Sequence, residues 1–497
     1  MSNSSAWINA NGKAIFWWVV LLLLIYFPIF MDLGDLAMRT WDEPRMALNA
    51  FEITKDHNWI VTHYNGQIEL WNTKPPLMMW IQALLIKIMG ASELTIRLPS
   101  AISAALTCIM LVIFSQKFLK SFWTGFAAAL VLVTTRGYIG IHSARTGDYD
   151  PIVTMFCTLY ALSFFSYTET HKNKYLAITF VGLALALFTK GIAGAFFLPA
   201  LFIYALIKKQ VLPLLKNYRF YLFLILSLVP ILGYYFWREQ LNPGYMHAVW
   251  ENELGGRYLS TIEEHKEVFW YYINNLIDWR YSYWLVFIAP GIALGLTNKD
   301  QKMKNITLYL SIIILFFVLL LSSAKTKLFW YDIPLYPLFA IIIGNMFKIL
   351  YGYMKDYKES NPKVYAALKY GGLIPMFIYP YSAIIRSSYK PVETNDFDST
   401  YYRIEYYMQK AERGQKNLDN YTLCYDQYEA AELFYIDILS DMGQHVKWVK
   451  KTDFMPGENV IVCEPQTEDS LKIKYTYQLI DSDHTVKAYH ILDKRKK

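Results

Sequence analysis

Residues 35–80 read DLAMRTWDEPRMALNAFEITKDHNWIVTHYNGQIELWNTKPPLMMW. This polar, aromatic-rich stretch follows the first strongly apolar run, KAIFWWVVLLLLIYFPIFM (13–31), which is about one membrane span long and has no small-residue cleavage motif after it. A retained anchor followed directly by a charged loop places Asp42, Glu43, Arg45 and Lys74 at a membrane surface, where they can meet a lipid headgroup without entering hydrocarbon. These four residues are the first functional candidates.

The rest of the chain agrees with that start. With 497 residues, 55% hydrophobic and 17% aromatic, it is too apolar for an ordinary soluble protein and reads as a polytopic membrane protein. The net charge of +7 does not indicate nucleic acid, because the Lys and Arg are scattered through short loops instead of gathered on one face. The 4 Cys build neither a disulfide framework nor a metal-ligand spacing, and free buried thiols are the expected state; Cys424 and Cys463 could pair only in an oxidising compartment.

Further apolar runs fall at 97–116, 122–141, 151–168, 191–207, 220–237, 281–297, 305–323, 328–350 and 364–385, with a short one at 175–189. The reading is about eleven spans, and eleven to thirteen transmembrane helices bracket it. With the N-terminus inside, five connections lie in the cytoplasm, and each is basic as the positive-inside rule requires: Lys117/Lys120, Lys172/Lys174, Lys208/Lys209/Lys216/Arg219, Lys299/Lys302/Lys304 and Lys355/Lys358/Lys363. That parity holds only if PPLMMWIQALLIKIMG (75–90) does not cross. An odd count then sends the C-terminus out. The expected domains are a transmembrane part, 1–386, and an extracytoplasmic α/β domain, 387–497. In the tail, short β-rich runs (YTLCYD, HVKWV, NVIVCE, KAYHILD) surround a helical stretch near AAELFYIDIL, and an amphipathic helix ends at Gly414.

The outer loops collect charge. Arg39, Arg45, Lys74, Arg97, Arg145, Lys190, Arg238, Arg257, Lys325 and Lys327 fall on or near that side against the topology rule, and an anionic ligand such as a lipid-linked phosphate offsets the cost. Snorkelling side chains and ion pairs are the bland alternative. In IHSARTGDYDP (141–151), Asp148 and Asp150 precede a descending helix; capping accounts for one acid better than for two. The last outer loop, SSAKTKLFWYDIPLYP, offers Lys325, Lys327 and Tyr331. His63, His142, His247 and His265 could reach the same face, but no close-spaced pair marks a metal site. The metal question stays open, with a divalent cation possible and no cofactor required.

The segments WDEPRMALNAFEI, NWIVTHYNG, TKPPLMMWIQ, RLPSAISA, ARTGDYDP and AKTKLFWYDIPLYP, in that order, resemble the membrane glycosyltransferases of the C-type (GT-C) fold, in the branch containing the lipid A aminoarabinose transferase and the protein O-mannosyltransferases. The resemblance covers roughly residues 13–350. It implies transfer of a sugar from a polyprenyl-phosphate carrier on the extracytoplasmic (periplasmic) side of a bacterial inner membrane, to lipid A, a glycan or a protein. By the same resemblance Asp42 is the acid of the first outer loop, and Asp150, with Asp148 as its rival, the acid of the second. Lys74, Arg257 and Tyr331 match the residues that contact carrier phosphate. Thr73 departs from the pattern, standing where the aminoarabinose branch has a glutamate, and Phe329 replaces a proline.

The residue types suit the chemistry. The leaving group is a phosphate monoester, so cations must neutralise developing charge while a base takes the acceptor's proton. Lys74, Arg257, Lys327 and Arg145 are candidates for the first task. Asp42 is the candidate base, which predicts inversion at the anomeric carbon; Asp150 or Asp148 orients the acceptor or holds a cation. Two other classes stay in view: a carrier or flippase for lipid-linked sugars, expected to show charges or broken helices at mid-membrane, and a non-catalytic envelope assembly protein.

Overall fold

The computed structural model describes residues 2–39, 41–259, 266–389 and 401–495, with side chains from residue 12 onward and Leu254, Arg257 and Leu259 as backbone only. Among the described residues, seven helical segments are long and apolar enough to cross a membrane: Gly12–Phe30, Glu93–Phe118, Tyr149–Thr170, Asn173–Ala195, Tyr218–Leu241, Gln301–Ser323 and Phe329–Ser360. These coincide with seven of the eleven expected runs. The other four are shorter or interrupted: Phe122–Val133, Leu198–Ile207 and Leu285–Leu296 are single short helices, and the last run is broken into Pro362–Ala366, a π-helical stretch Ala367–Leu373 and Ile374–Ser388. The chain is thus a mostly α, multi-pass membrane protein with a small C-terminal sheet.

The residues group into two compact units. The first comprises Met1–Met31, Leu70–Met78 and Leu98–Ser388; the second comprises Asp32–Glu69, Met79–Arg97 and Tyr389–Lys497.

In the first unit the helices pack through close backbone approaches. A Cβ on Gly344 would lie 2.5 Å from the Thr124 carbonyl oxygen, so only glycine lets Tyr336–Lys355 settle on Phe122–Val133. A fully buried network ties down the 3-10 turn Phe329–Leu335 that begins the last long span. Arg280 Nε donates to Asp332 Oδ1 at 3.0 Å and to the Tyr336 hydroxyl at 2.7 Å, and that hydroxyl donates to the same carboxylate at 2.7 Å.

In the second unit the opening stretch is more ordered than a loop. Asp42–Asp56 is a helix, and His63–Tyr64 pairs with Gln67–Ile68 around Asn65-Gly66, a dipeptide suited to tight hairpins. Ala47, Ala50 and Phe51 of that helix share one core with Met79, Ala83 and Ile86 of the helix Leu77–Met89 and with Phe434, Ile438 and Leu439 of the helix Ala430–Asp441. The C-terminal strands form a five-stranded sheet in the order Val446–Val449, Tyr421–Cys424, Asn459–Val462, Val486–Lys494, Tyr475–Asp483; the first three run parallel and the last two pair antiparallel. The expected strands and helix are all present, as is Arg403–Glu412, with Gly414 at φ 71 just beyond it. All four cysteines are free. Residues 75–90, expected not to cross, contribute the 13-residue helix Leu77–Met89, which spans only about 20 Å.

Among the described residues, two buried carboxyls in this unit have oxygens without a hydrogen-bond partner: Glu405 at Oε2 on one helix, and Glu432 at both oxygens on the next. Burial pushes both up, more than the Arg39 charge offsets at Glu405, and the neighbouring Glu405, Glu429 and Glu464 push Glu432 further. An acid raised on folding contributes its full stability below the ordinary carboxylate value and loses it as pH rises toward the folded value, here about 8 for Glu405. Thermal unfolding of the purified chain in detergent should therefore show a melting temperature that falls between pH 5 and pH 8. Glu405→Gln/Glu432→Gln should flatten that slope, and an unchanged slope in the double variant would assign it elsewhere.

Candidate active site

The site in the first unit is built where the helix Tyr149–Thr170 begins. Asp148 is its N-cap, and Asp148 Oδ1 accepts the Tyr149 N–H at 2.7 Å. Its Oδ2 lies 2.6 Å from His142 Nδ1. Burial alone would push this carboxyl up; the hydrogen bond from His142, its charge and that of Lys190 hold it below the ordinary range. Asp150, one position into the helix, does not cap. Both of its oxygens accept from Lys190 Nζ, at 2.7 and 2.6 Å, in a pair almost wholly out of solvent. Two acids two residues apart therefore have separate partners.

Lys190 reaches Asp150 because its helix ends there. Gly191 adopts φ +54, where a Cβ would also sit 3.0 Å from the Tyr235 hydroxyl, so the chain turns into the 3-10 segment Gly191–Ala195 and leaves the lysine pointing inward. The ring of Tyr331 lies 4.8 Å from Lys190 Nζ, and Trp330 stacks on His142 at 3.6 Å. Asp150, Lys190, Glu253, Tyr258 and Tyr331 line one pocket whose remaining wall is apolar, with Val153, Ile192, Phe196 and Phe317. Lys74 borders this region: its Nζ is 3.4 Å from Glu253 and 5.6 Å from the Tyr149 ring, and the Thr73 hydroxyl donates to the same glutamate at 2.9 Å. Glu253 thus brings to Thr73 a carboxylate from 180 residues away.

The other candidates of this unit divide. Arg145 donates to the Met31 carbonyl at 2.8 Å, tying the segment before the helix Tyr149–Thr170 to the end of the first span. Lys327 is buried and donates to the Glu267 carbonyl at 3.1 Å, while Lys325 is exposed. Arg257 lies in the short helix Gly255–Leu259 with its side chain outside the described residues, as is all of His265.

In the second unit, Asp42 opens its helix beside Glu43, both acids in the first turn where the dipole favours them. Trp41 before it holds φ 82, a strained conformation for a bulky residue, and stacks on Tyr428 at 4.8 Å. Glu43 is committed to a buried pair with Arg97, whose Nε lies 2.7 Å from Oε1 and whose other nitrogens donate to the carbonyls of Leu33, Leu36 and Ala37. Arg45 pairs with Glu69 and lies over the Tyr64 ring at 3.5 Å; burial lowers the guanidinium, and Glu69, with Tyr428 and Tyr64, more than offsets that and leaves it raised. Its contacts are those of a side chain that shapes the hairpin.

The chain is a multi-pass membrane protein, and likeness to solved structures gives its fold as the C-type glycosyltransferase fold. Residues 73–237 match the dolichyl-phosphate-mannose-protein mannosyltransferase family. An uncharacterized protein of Aquifex aeolicus is 28% identical over 335 residues, covering 65% of this chain and 63% of that protein. The undecaprenyl phosphate-alpha-4-amino-4-deoxy-L-arabinose arabinosyl transferase of Pseudomonas savastanoi pv. phaseolicola is 25% identical over 366 residues, covering 72% of this chain and 66% of its own. The chain therefore spans just under two thirds of the length of these curated relatives. Among solved structures, ArnT from Cupriavidus metallidurans bound to undecaprenyl phosphate matches with a TM-score of 0.70 at 15% identity, covering 97% of this chain and 98% of its own. AglB from Archaeoglobus fulgidus, in complex with an inhibitory peptide and a dolichol-phosphate, matches with a TM-score of 0.52 at 11% identity, covering 86% of this chain and 63% of its own.

Proposed function

We propose that this protein is an inverting membrane glycosyltransferase that moves a sugar from a polyprenyl-phosphate donor to an acceptor on the extracytoplasmic face of a bacterial inner membrane. The observation that carries the reading is the pocket in which Lys190, Asp150, Glu253, Tyr258 and Tyr331 meet an apolar wall. A charged end for a phosphate and a greasy side for an isoprenoid chain are what such a donor requires. In the step itself an acceptor oxygen attacks the anomeric carbon, the bond from that carbon to the phosphate oxygen breaks with its electron pair leaving on the phosphate, and the acceptor's proton passes to the Asp42 carboxylate. Cationic groups, Lys74 and Arg257 among them, stabilise the departing phosphate. Asp148 or Asp150 orients the acceptor.

Lys74→Ala and Arg257→Ala should each weaken use of the donor by on the order of 1.5 to 3 kcal/mol, the worth of a charge-assisted hydrogen bond. That is a rise in donor KM of roughly 10- to 150-fold. Donor titration in nanodiscs checks it, and two variants saturating like the wild type would move the phosphate site elsewhere. The reading as a whole is tested with purified protein in detergent, given undecaprenyl phosphate loaded with labelled sugars, 4-amino-4-deoxy-L-arabinose among them, and lipid A as acceptor. A carrier has no second compartment to deliver to in detergent, so labelled product supports transfer, and bound donor without product supports the carrier.

A further inference from the structure

His142 entered the sequence reading only as a histidine able to face outward. Its backbone sits at φ 57, a left-handed conformation uncommon for a side chain other than glycine, on the turn between Arg136–Ile139 and Tyr149–Thr170. The ring is held on three sides. Nδ1 lies 2.6 Å from Asp148 Oδ2, Trp330 stacks on one face with planes 15° apart, and Phe329 packs edge-on with ring centres 5.8 Å apart. Asp148 is fixed at its main chain as well: its N–H donates to Ser100 Oγ at 3.0 Å and the same hydroxyl donates to its carbonyl at 2.8 Å. The residue next to Trp330 is Tyr331, whose ring meets Lys190, and the residue after that is Asp332, anchored by Arg280.

We propose that His142 is a positioning residue: with its ring held by Trp330 and Phe329, it orients the Asp148 carboxylate through Nδ1–H. The inference rests on the glycosyltransferase reading for its kinetic consequence and on geometry alone for its structural one. A carboxylate can only accept, so the proton of the short contact belongs to Nδ1. The left-handed backbone at His142 goes with a ring placed so that Nδ1 meets Asp148 Oδ2. His142 makes none of the proposed donor contacts, so its loss should appear in turnover and not in donor saturation.

The experiment uses the purified full chain with the undecaprenyl-phosphate sugar donors named above. His142→Ala should lower kcat by on the order of tenfold to 100-fold, as expected of a misplaced reacting group, with donor KM within about twofold of wild type. His142→Asn places an amide N–H where Nδ1–H stood and should recover most of the lost turnover. Nitrogen NMR of histidine-labelled protein, with the His142 signals identified by their loss in His142→Asn, should report a ring protonated on Nδ1, and Asp148→Asn should change that signal. Wild-type turnover in His142→Ala, failure of His142→Asn to recover activity, or a ring protonated only on Nε2 would each overturn the proposal. If wild-type protein transfers sugar from no donor, the glycosyltransferase reading fails instead. The NMR result, which needs no turnover, then decides the His142–Asp148 contact on its own.

Discussion

Asp42→Asn should abolish sugar transfer while leaving the protein folded and able to bind its donor. The substitution keeps the shape of the side chain and removes its capacity to accept a proton, and a positioned base contributes roughly 10²- to 10⁴-fold to a rate. The residue's setting favours such a separation of stability from activity. Asp42 lies at the first turn of its helix and is half-buried, whereas the residues that hold the helix in its unit are the buried Ala47, Ala50, Phe51 and Ile53. Glu43→Gln makes the contrast. Glu43 is buried against Arg97 and accepts the Arg39 N–H at 2.8 Å, so its loss should lower the melting temperature before it alters turnover per folded molecule. Turnover and melting measured together on both variants separate the roles, and near-normal turnover in Asp42→Asn would remove the base assignment.

Lys190→Met should strongly destabilise the first unit. It strands the Asp150 carboxylate, whose two oxygens both accept from the lysine and which is otherwise out of solvent. Breaking one side of a buried ion pair costs about 3 to 5 kcal/mol, more than removing the pair together. The double change Lys190→Met/Asp150→Leu should therefore melt higher than Lys190→Met alone, although it should not transfer sugar. Thermal unfolding in one detergent across the three proteins checks this, and a double variant no more stable than the single one would show that the pair is not coupled as its geometry implies.

What could be read from the sequence followed from how local its physical cause is. A span needs about twenty apolar residues in a row, and seven of the eleven expected runs, the short one at 175–189 among them, coincide with helices of that kind. The run at 122–141 shows why others fell short: Thr134 and Thr135 turn their hydroxyls back onto the Leu130 and Val131 carbonyls, and the helix stops at Val133. The helix Asp42–Asp56 was hidden by its own composition, since DEPRMALNAFEITKD mixes charge with a buried stripe and reads as polar loop until its partners, the tail helices, are known. The strand Tyr475–Asp483 was missed because it is an edge strand with most side chains exposed, lacking the apolar alternation of a covered one. The acids of the second outer loop were visible, but their division was not. Asp150 meets Lys190, 40 residues away, and Thr73 meets Glu253, 180 residues away. No spacing rule reaches that far. Arg45 and Arg145 stood out as exposed-face cations, and only their contacts with Glu69 and the Met31 carbonyl reveal what each is attached to.

The most direct test of the account is a single-turnover experiment on purified wild-type protein loaded with one equivalent of labelled undecaprenyl-phosphate sugar. The account predicts that the label stays on the carrier until acceptor is added, and that product and free undecaprenyl phosphate then appear together, one for one, with the anomeric configuration inverted. Label that remains on the carrier in the presence of every acceptor class, with donor still tightly bound, would contradict it and leave a protein that holds lipid-linked sugars without transferring them.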